Sequence, residues 1–177
     1  MITPLVIPPI RPATVNDIII YESDLGPWQT KSGGQMHVIL AFPKAILETM
    51  LHVDDNELKF APKVELGLRA FHTKGIVEGT VGGKHFHRIK QEVISLSSGR
   101  AEFFMEDVYG GSRKIILDQR TRALLIPPFV MHTYTALEEA ELIGVSNTLY
   151  DHDDPETHDT YSQEVFDRLR EHYSARL

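Results

Sequence analysis

From residue 57 to residue 148 the chain is a succession of short apolar runs: ELKFA, VELGLRAFH, GIVEGTV, KHFHRI, EVISLSS, AEFFMEDV, RKIILD, ALLIPP, VMHTYTA and AELIGVSN. Gly82–Gly83, Gly99, Gly110–Gly111, Pro127–Pro128 and Glu138–Glu139 punctuate them. Runs this short, rich in β-branched and aromatic residues, bury their apolar faces by pairing into a sandwich or closing into a barrel. The expected fold class is therefore all-β. With 177 residues, 42% of them hydrophobic, the chain suits one domain with a real core. Its expected parts are an N-terminal extension (1–56), a barrel core (57–148) and a C-terminal helix (160–176).

The extension opens proline-rich over residues 1–16, a stretch expected to lie extended along the surface or along a partner subunit. DIIIYE at 17–22 and QMHVILAF at 35–42 read as strands. PKAILETML at 43–51 spaces Ile46, Leu47, Met50 and Leu51 as a short helix would, with Pro43 suited to a first turn. At the other end, SQEVFDRLREHYSARL places Val165, Phe166, Leu169 and Tyr173 on one helical side, and Thr160 with Gln163 suggests a capping box.

Composition excludes several function classes. The net charge is −7 and no basic cluster occurs, so nucleic acid and anionic membrane are not expected partners. No apolar run approaches the ~20 residues of a membrane span. The N-terminus lacks the basic start and unbroken apolar core of a signal peptide, so a cytoplasmic location is expected. Cysteine is absent, which removes disulfides, thiol catalysis and thiolate metal ligation.

The chemistry concentrates in GGKHFHRIKQE at 82–92. On a strand, residues i and i+2 share a face. His85 and His87 then project together with Phe86 opposite, and a reversal at RIKQ brings Glu92 beside them. IPPFVMHTYTA supplies His132 from a later strand. Three imidazoles and a carboxylate make a nitrogen–oxygen site for a divalent metal such as zinc, iron, manganese or nickel. The competing reading is a metal-free pocket using the same imidazoles as acid–base groups. His37, His52, His72 and His172 read as structural or exposed. Arg69, Lys84, Arg88 and Lys90 surround the motif, and alternation could send one or two to the pocket to meet a phosphate or carboxylate. Tyr134 shares a strand with His132 and is a candidate substrate contact. DHDDPETHD at 151–159 lacks the mid-loop glycine and the closing glutamate of a calcium loop and reads as a solvated acidic loop. The glycine pairs read as hairpin turns, since neither opens a helix.

In every fixed position Gly79, His85, His87, Glu92 and Gly99 resemble the first motif of the cupin superfamily. The second motif matches at Pro127 and His132 and departs at three places: Thr121 and Phe129 stand for glycines, and Ala136 for asparagine. The resemblance implies a jelly-roll (double-stranded β-helix) barrel whose mouth holds a metal through His85, His87, Glu92 and His132, and a frequent homodimer. The stretch from Ile126 to Tyr161 is similar to the tail of cupins in nucleotide-sugar and capsular-polysaccharide pathways: 3,5-epimerases, 3,4-ketoisomerases and metal-bearing capsule enzymes. Gly82, where the first two usually carry arginine, and the retained Glu92 make the metal-bearing type the nearer match. The resemblance implies proton transfer next to a carbonyl on a sugar or nucleotide-sugar, with Tyr150 as a catalytic acid. Two rival classes remain: a metal-dependent dioxygenase or decarboxylase of a small organic acid, and a non-enzymatic small-ligand binder.

Overall fold

The computed structural model describes residues 5–22, 25–118 and 122–175. Two five-stranded antiparallel sheets dominate. The first runs in the order β1 (Ile19–Glu22), β9 (Arg122–Ile126), β6 (Glu92–Ser98), β11 (Ala140–Thr148), β4 (Leu66–Ile76). The second runs β12 (Tyr161–Ser162), β5 (Val81–Phe86), β10 (Met131–Ala136), β7 (Arg100–Glu106), β8 (Ser112–Asp118). A separate hairpin pairs β2 (Leu25–Gln29) with β3 (Gln35–Val38). The all-β expectation and the jelly-roll barrel hold.

Period-2 alternation sorts each strand between inside and outside. Ile94 and Leu96 of β6, Phe103 and Met105 of β7, Leu117 of β8 and Leu124 and Ile126 of β9 meet in the core between the sheets. Their neighbours of opposite parity face outward into two further layers. Val93, Ala123 and Leu125 pack under Ile46 and Met50 of α1 (Lys44–Leu51). Phe86 and Met131 pack under Phe166 and Leu169 of α3 (Gln163–Ser174). Each sheet thus has a helix on its outer face.

Several expected details change. ELKFA is not a strand: its start lies in α2 (Asp55–Leu58), whose first turn is capped by the Asp54 carboxylate accepting from Asn56 N–H. The β1 segment of the extension joins the barrel through β9. Pro43 is the cap of α1 and not its first helical residue. The cap of α3 is Ser162, without a side-chain hydrogen bond, while the Thr160 hydroxyl donates to the His158 carbonyl. The proline-rich arm packs Leu5 and Ile7 against the chain's own Phe86–Phe166 layer. Gly82–Gly83 lies inside β5 and makes no turn. Thr121 is outside the described residues.

Candidate metal centre

Three strands and one loop assemble the site. Glu92 starts β6 with the inward parity of Ile94 and Leu96. On β10, His132 shares the inward face of Tyr134 and Ala136, and it pairs in register with His85 on β5. Beyond His85 the ladder slips, for His132 opposes His85 but Thr133 opposes Gly83. Lys84 is the unmatched residue of this bulge, with a left-handed φ of 60°. Lys84 is exposed rather than lining the cavity, on the side of Phe86, where alternation from the inward His85 already places it. The strand ends at Phe86, so His87 sits on the loop 87–91 that crosses from one sheet to the other. Phe129 N–H fixes that exit by donating to the His87 carbonyl at 2.7 Å. As expected, Phe86 faces away from the histidines, stacked on Tyr161 in the outer layer.

One ligand atom from each of His85, His87, Glu92 and His132 lies within 4.8 Å of the others. Each imidazole has its Nδ1 on a main-chain carbonyl: His85 on Gly83 at 3.1 Å, His87 on Asp159 at 2.6 Å, His132 on Val130 at 3.2 Å. A carbonyl oxygen can only accept, so each Nδ1 carries the proton. That leaves each Nε2 as a bare lone pair. The Nε2 atoms of His85 and His132 face each other at 3.1 Å. Glu92 Oε2 lies 3.4 Å from His87 Nε2 and 3.7 Å from His132 Nε2.

The surroundings of His85 and His132 favour neutral rings. Burial, reinforced by the neighbouring His87, pulls His85 down to about 4 and His132 down to about 3. Burial alone would raise the Glu92 carboxyl, but His87, Lys90 and His132 outweigh it and hold the group well below its usual range. Two lone pairs at 3.1 Å repel unless a cation lies between them. Metal–ligand bonds of ~2.1 Å place neighbouring donor atoms ~3.0–3.4 Å apart; the His85–His132 and His87–Glu92 pairs, at 3.1 and 3.4 Å, already have that spacing, while the set as a whole spans up to 4.8 Å. The donor set therefore fits a divalent metal, with carbonyls fixing each imidazole tautomer.

A cavity of about 240 Å³ opens over His85, Glu92 and His132, walled by Phe71, Phe103 and Tyr134. Gly82 makes room for this wall, since a Cβ there would overlap the Tyr134 ring. Lys90 and Thr160 separate the cavity from a second one of about 260 Å³ bordered by Arg69, Tyr150, His152 and His158. The Arg69 guanidinium stacks 4.0 Å over the Tyr150 ring. Its Nε and Nη1 are buried without a hydrogen-bond partner, and burial lowers its pKa.

The expected substrate residues thus divide. Arg69 and Tyr150 meet in the outer cavity, Tyr134 lines the inner one, and Lys84 faces solvent. Arg88 turns the other way. It is buried against Glu57 at 2.8 Å, and burial raises that carboxyl against the pull of the guanidinium. Lys90 and Asp159 carry more weight than the sequence indicated. Lys90 is buried with its ammonium 3.2 Å from Glu92 Oε1. Asp159, within the segment read as a solvated loop, is buried at a φ of 45°. Its carboxylate accepts from the backbone N–H groups of Arg88, Ile89 and Lys90 at 3.2, 2.8 and 2.6 Å.

Barrel, inward histidines and glutamate together define a cupin. More narrowly, the chain belongs to the family described as WxcM-like, C-terminal (FdtA), whose model matches residues 48–165. Among solved structures, it resembles QdtA, a sugar 3,4-ketoisomerase from Thermoanaerobacterium thermosaccharolyticum solved with TDP. The match has 13% identity, covers 93% of this chain and 99% of that one, and has a TM-score of 0.61. WlaRA, a TDP-fucose-3,4-ketoisomerase from Campylobacter jejuni, matches at 17% identity over 87% and 96%, TM-score 0.55. The dTDP-4-dehydrorhamnose 3,5-epimerase of Bacillus anthracis matches at 16% identity over 85% and 82%, TM-score 0.55. At these identities the likeness establishes the fold. No curated protein matches the chain.

Proposed function

We propose that the protein is a metal-dependent isomerase or epimerase of a nucleotide-linked keto-sugar, moving a proton at the carbon next to the carbonyl. The carrying observation is the set of three bare Nε2 atoms and one carboxylate converging at the floor of a sugar-sized cavity. His85, His87, Glu92 and His132 would hold the ion, which when bound supplies Lewis-acid polarisation of a carbonyl. The chain's own groups do the rest. The orphaned N–H groups of Arg69 suit an anionic oxygen such as a diphosphate, with Tyr150 ordering the guanidinium from beneath. Tyr150 therefore serves binding in this reading and not proton transfer, because it borders the outer cavity only. Tyr134 presents its phenol to the inner cavity and is our candidate proton donor. The apolar wall of Phe71, Phe103 and Leu142 keeps water from the reacting carbon.

A variant of QdtA has been solved with TDP-4-keto-6-deoxyglucose, which makes that compound the natural first probe. In deuterated water the purified protein should wash deuterium into the carbon next to the carbonyl. Chelator-stripped protein and His87→Ala should not. Exchange undiminished after stripping would leave the imidazoles acting alone and sink the metal-dependent reading. No exchange, together with oxygen consumption by the iron-loaded protein on an organic acid, would favour the oxygenase class.

A further inference from the structure

We infer that Lys90 is a positioning residue that divides the Glu92 carboxylate, holding one oxygen so that only the other is offered to the metal. The inference rests on the metal-centre reading above and concerns what this chain adds to it. Glu92 is 5% exposed, and its two oxygens have different neighbours. Oε2 faces the imidazoles of His87 and His132 at 3.4 and 3.7 Å. Oε1 faces the Lys90 ammonium at 3.2 Å.

Lys90 has little freedom to do otherwise. Its side chain is 7% exposed, and its backbone N–H is held by the Asp159 carboxylate at 2.6 Å. A carboxylate free at both oxygens can close on a cation with both. One whose second oxygen is bonded to an ammonium presents a single donor, leaving more of the coordination sphere to substrate oxygens. The ammonium also stands between the inner and outer cavities. Its positive charge opposes a dication sharing the same carboxylate, so it weakens metal binding while raising the pull of the site on substrate oxygen.

Three variants separate orientation from charge. Lys90→Arg keeps both the donor and the charge. Lys90→Gln keeps a donor but no charge, and Lys90→Met keeps neither at similar length. Each is stripped, titrated with Co²⁺ alone, and read by its visible absorption and by chelator competition. Wild type, Lys90→Arg and Lys90→Gln should share one spectrum. Lys90→Met should show the weaker absorption of a higher-coordinate ion. Affinity should rise about tenfold in Lys90→Gln and Lys90→Met and stay unchanged in Lys90→Arg. If Lys90→Met does not fold, the affinity of Lys90→Gln decides. A wild type that takes up no Co²⁺ overturns the metal centre itself. Uptake with the same affinity in wild type and Lys90→Gln, and the same spectrum in any folded Lys90→Met, overturns only the role given to Lys90.

Discussion

Phe129 stands where the second cupin motif has glycine, and its φ of 63° shows why glycine is usual there. A left-handed L-residue costs about 1–2 kcal/mol, yet the backbone keeps the turn that fixes His87. The side chain compensates by burial: Phe129 is 1% exposed beside Phe86, with ring centroids 6.1 Å apart. Removing the ring while keeping the strain should be worse than removing both. Urea unfolding of the metal-stripped protein should place Phe129→Gly about 3 kcal/mol below wild type and Phe129→Ala about 4 kcal/mol below it. The buried imidazoles set a second expectation. Unfolded histidine binds its proton near 6.5, whereas folded His85 and His132 wait until about 4 and about 3. Between these values the unfolded chain holds more protons, so lowering the pH through that window removes stability. The urea midpoint of stripped protein should fall steadily from about pH 6.5 to pH 4, with a shallower slope in His132→Gln. An unchanged slope would mean that His132 is not held neutral.

The loop 87–91 is the element on which the site depends, and Asp159 is what shapes it. The Asp159 carbonyl sets the His87 tautomer, while its carboxylate gathers the backbone N–H groups of the next three residues. In Asp159→Asn the amide nitrogen confronts either the Arg88 N–H or those of Ile89 and Lys90 together, since the first uses one carboxylate oxygen and the other two share the second. Stability should drop by about 2 kcal/mol and Zn²⁺ affinity should fall with it, measured by denaturation and by chelator competition. Intact affinity would show that the loop holds its shape without the carboxylate. This element also marks where sequence reasoning stops. His85, Glu92 and His132 were legible because fixed spacing and strand parity aim them inward. Phe86 was placed outward by the same rule. The same parity puts Lys84 on the side of Phe86, away from the cavity, so its reading as a substrate contact went against the rule and it is exposed. The reading of ELKFA as a strand failed because a four-residue helix under an Asp54 cap carries too little periodicity to declare itself. Asp159 and β12 were hidden for another reason: their partners lie some 70 residues away, at Arg88 and Phe86, and no local pattern announces such a pairing.

At the scale of the whole molecule, each sheet has a helix over one part of its outer face, but the coverage is uneven. β4 is the longest strand and pairs only with β11, so one of its edges carries no described strand. Leu66 and Leu68 on it are 44% and 54% exposed. The β2–β3 hairpin is equally bare: Trp28 and Met36 are 44% and 49% exposed, and two strands alone are marginal in water. A long apolar edge strand left open invites pairing with other chains. No helix among the described residues is long and apolar enough to cross a membrane, so a bilayer-spanning helix does not account for these surfaces. We therefore propose that a second copy of this chain covers them, giving the homodimer that the sequence suggested. The proline-rich arm packs Leu5 and Ile7 on the chain's own barrel, in keeping with a stretch that lies along the surface. Light scattering at micromolar concentration should report a dimer. Leu68→Lys should shift it toward monomer while circular dichroism and metal uptake persist, since Leu68 contributes to neither cavity nor core. A wild type that scatters as a monomer would refute the proposal and leave the exposed leucines of β4 without a partner.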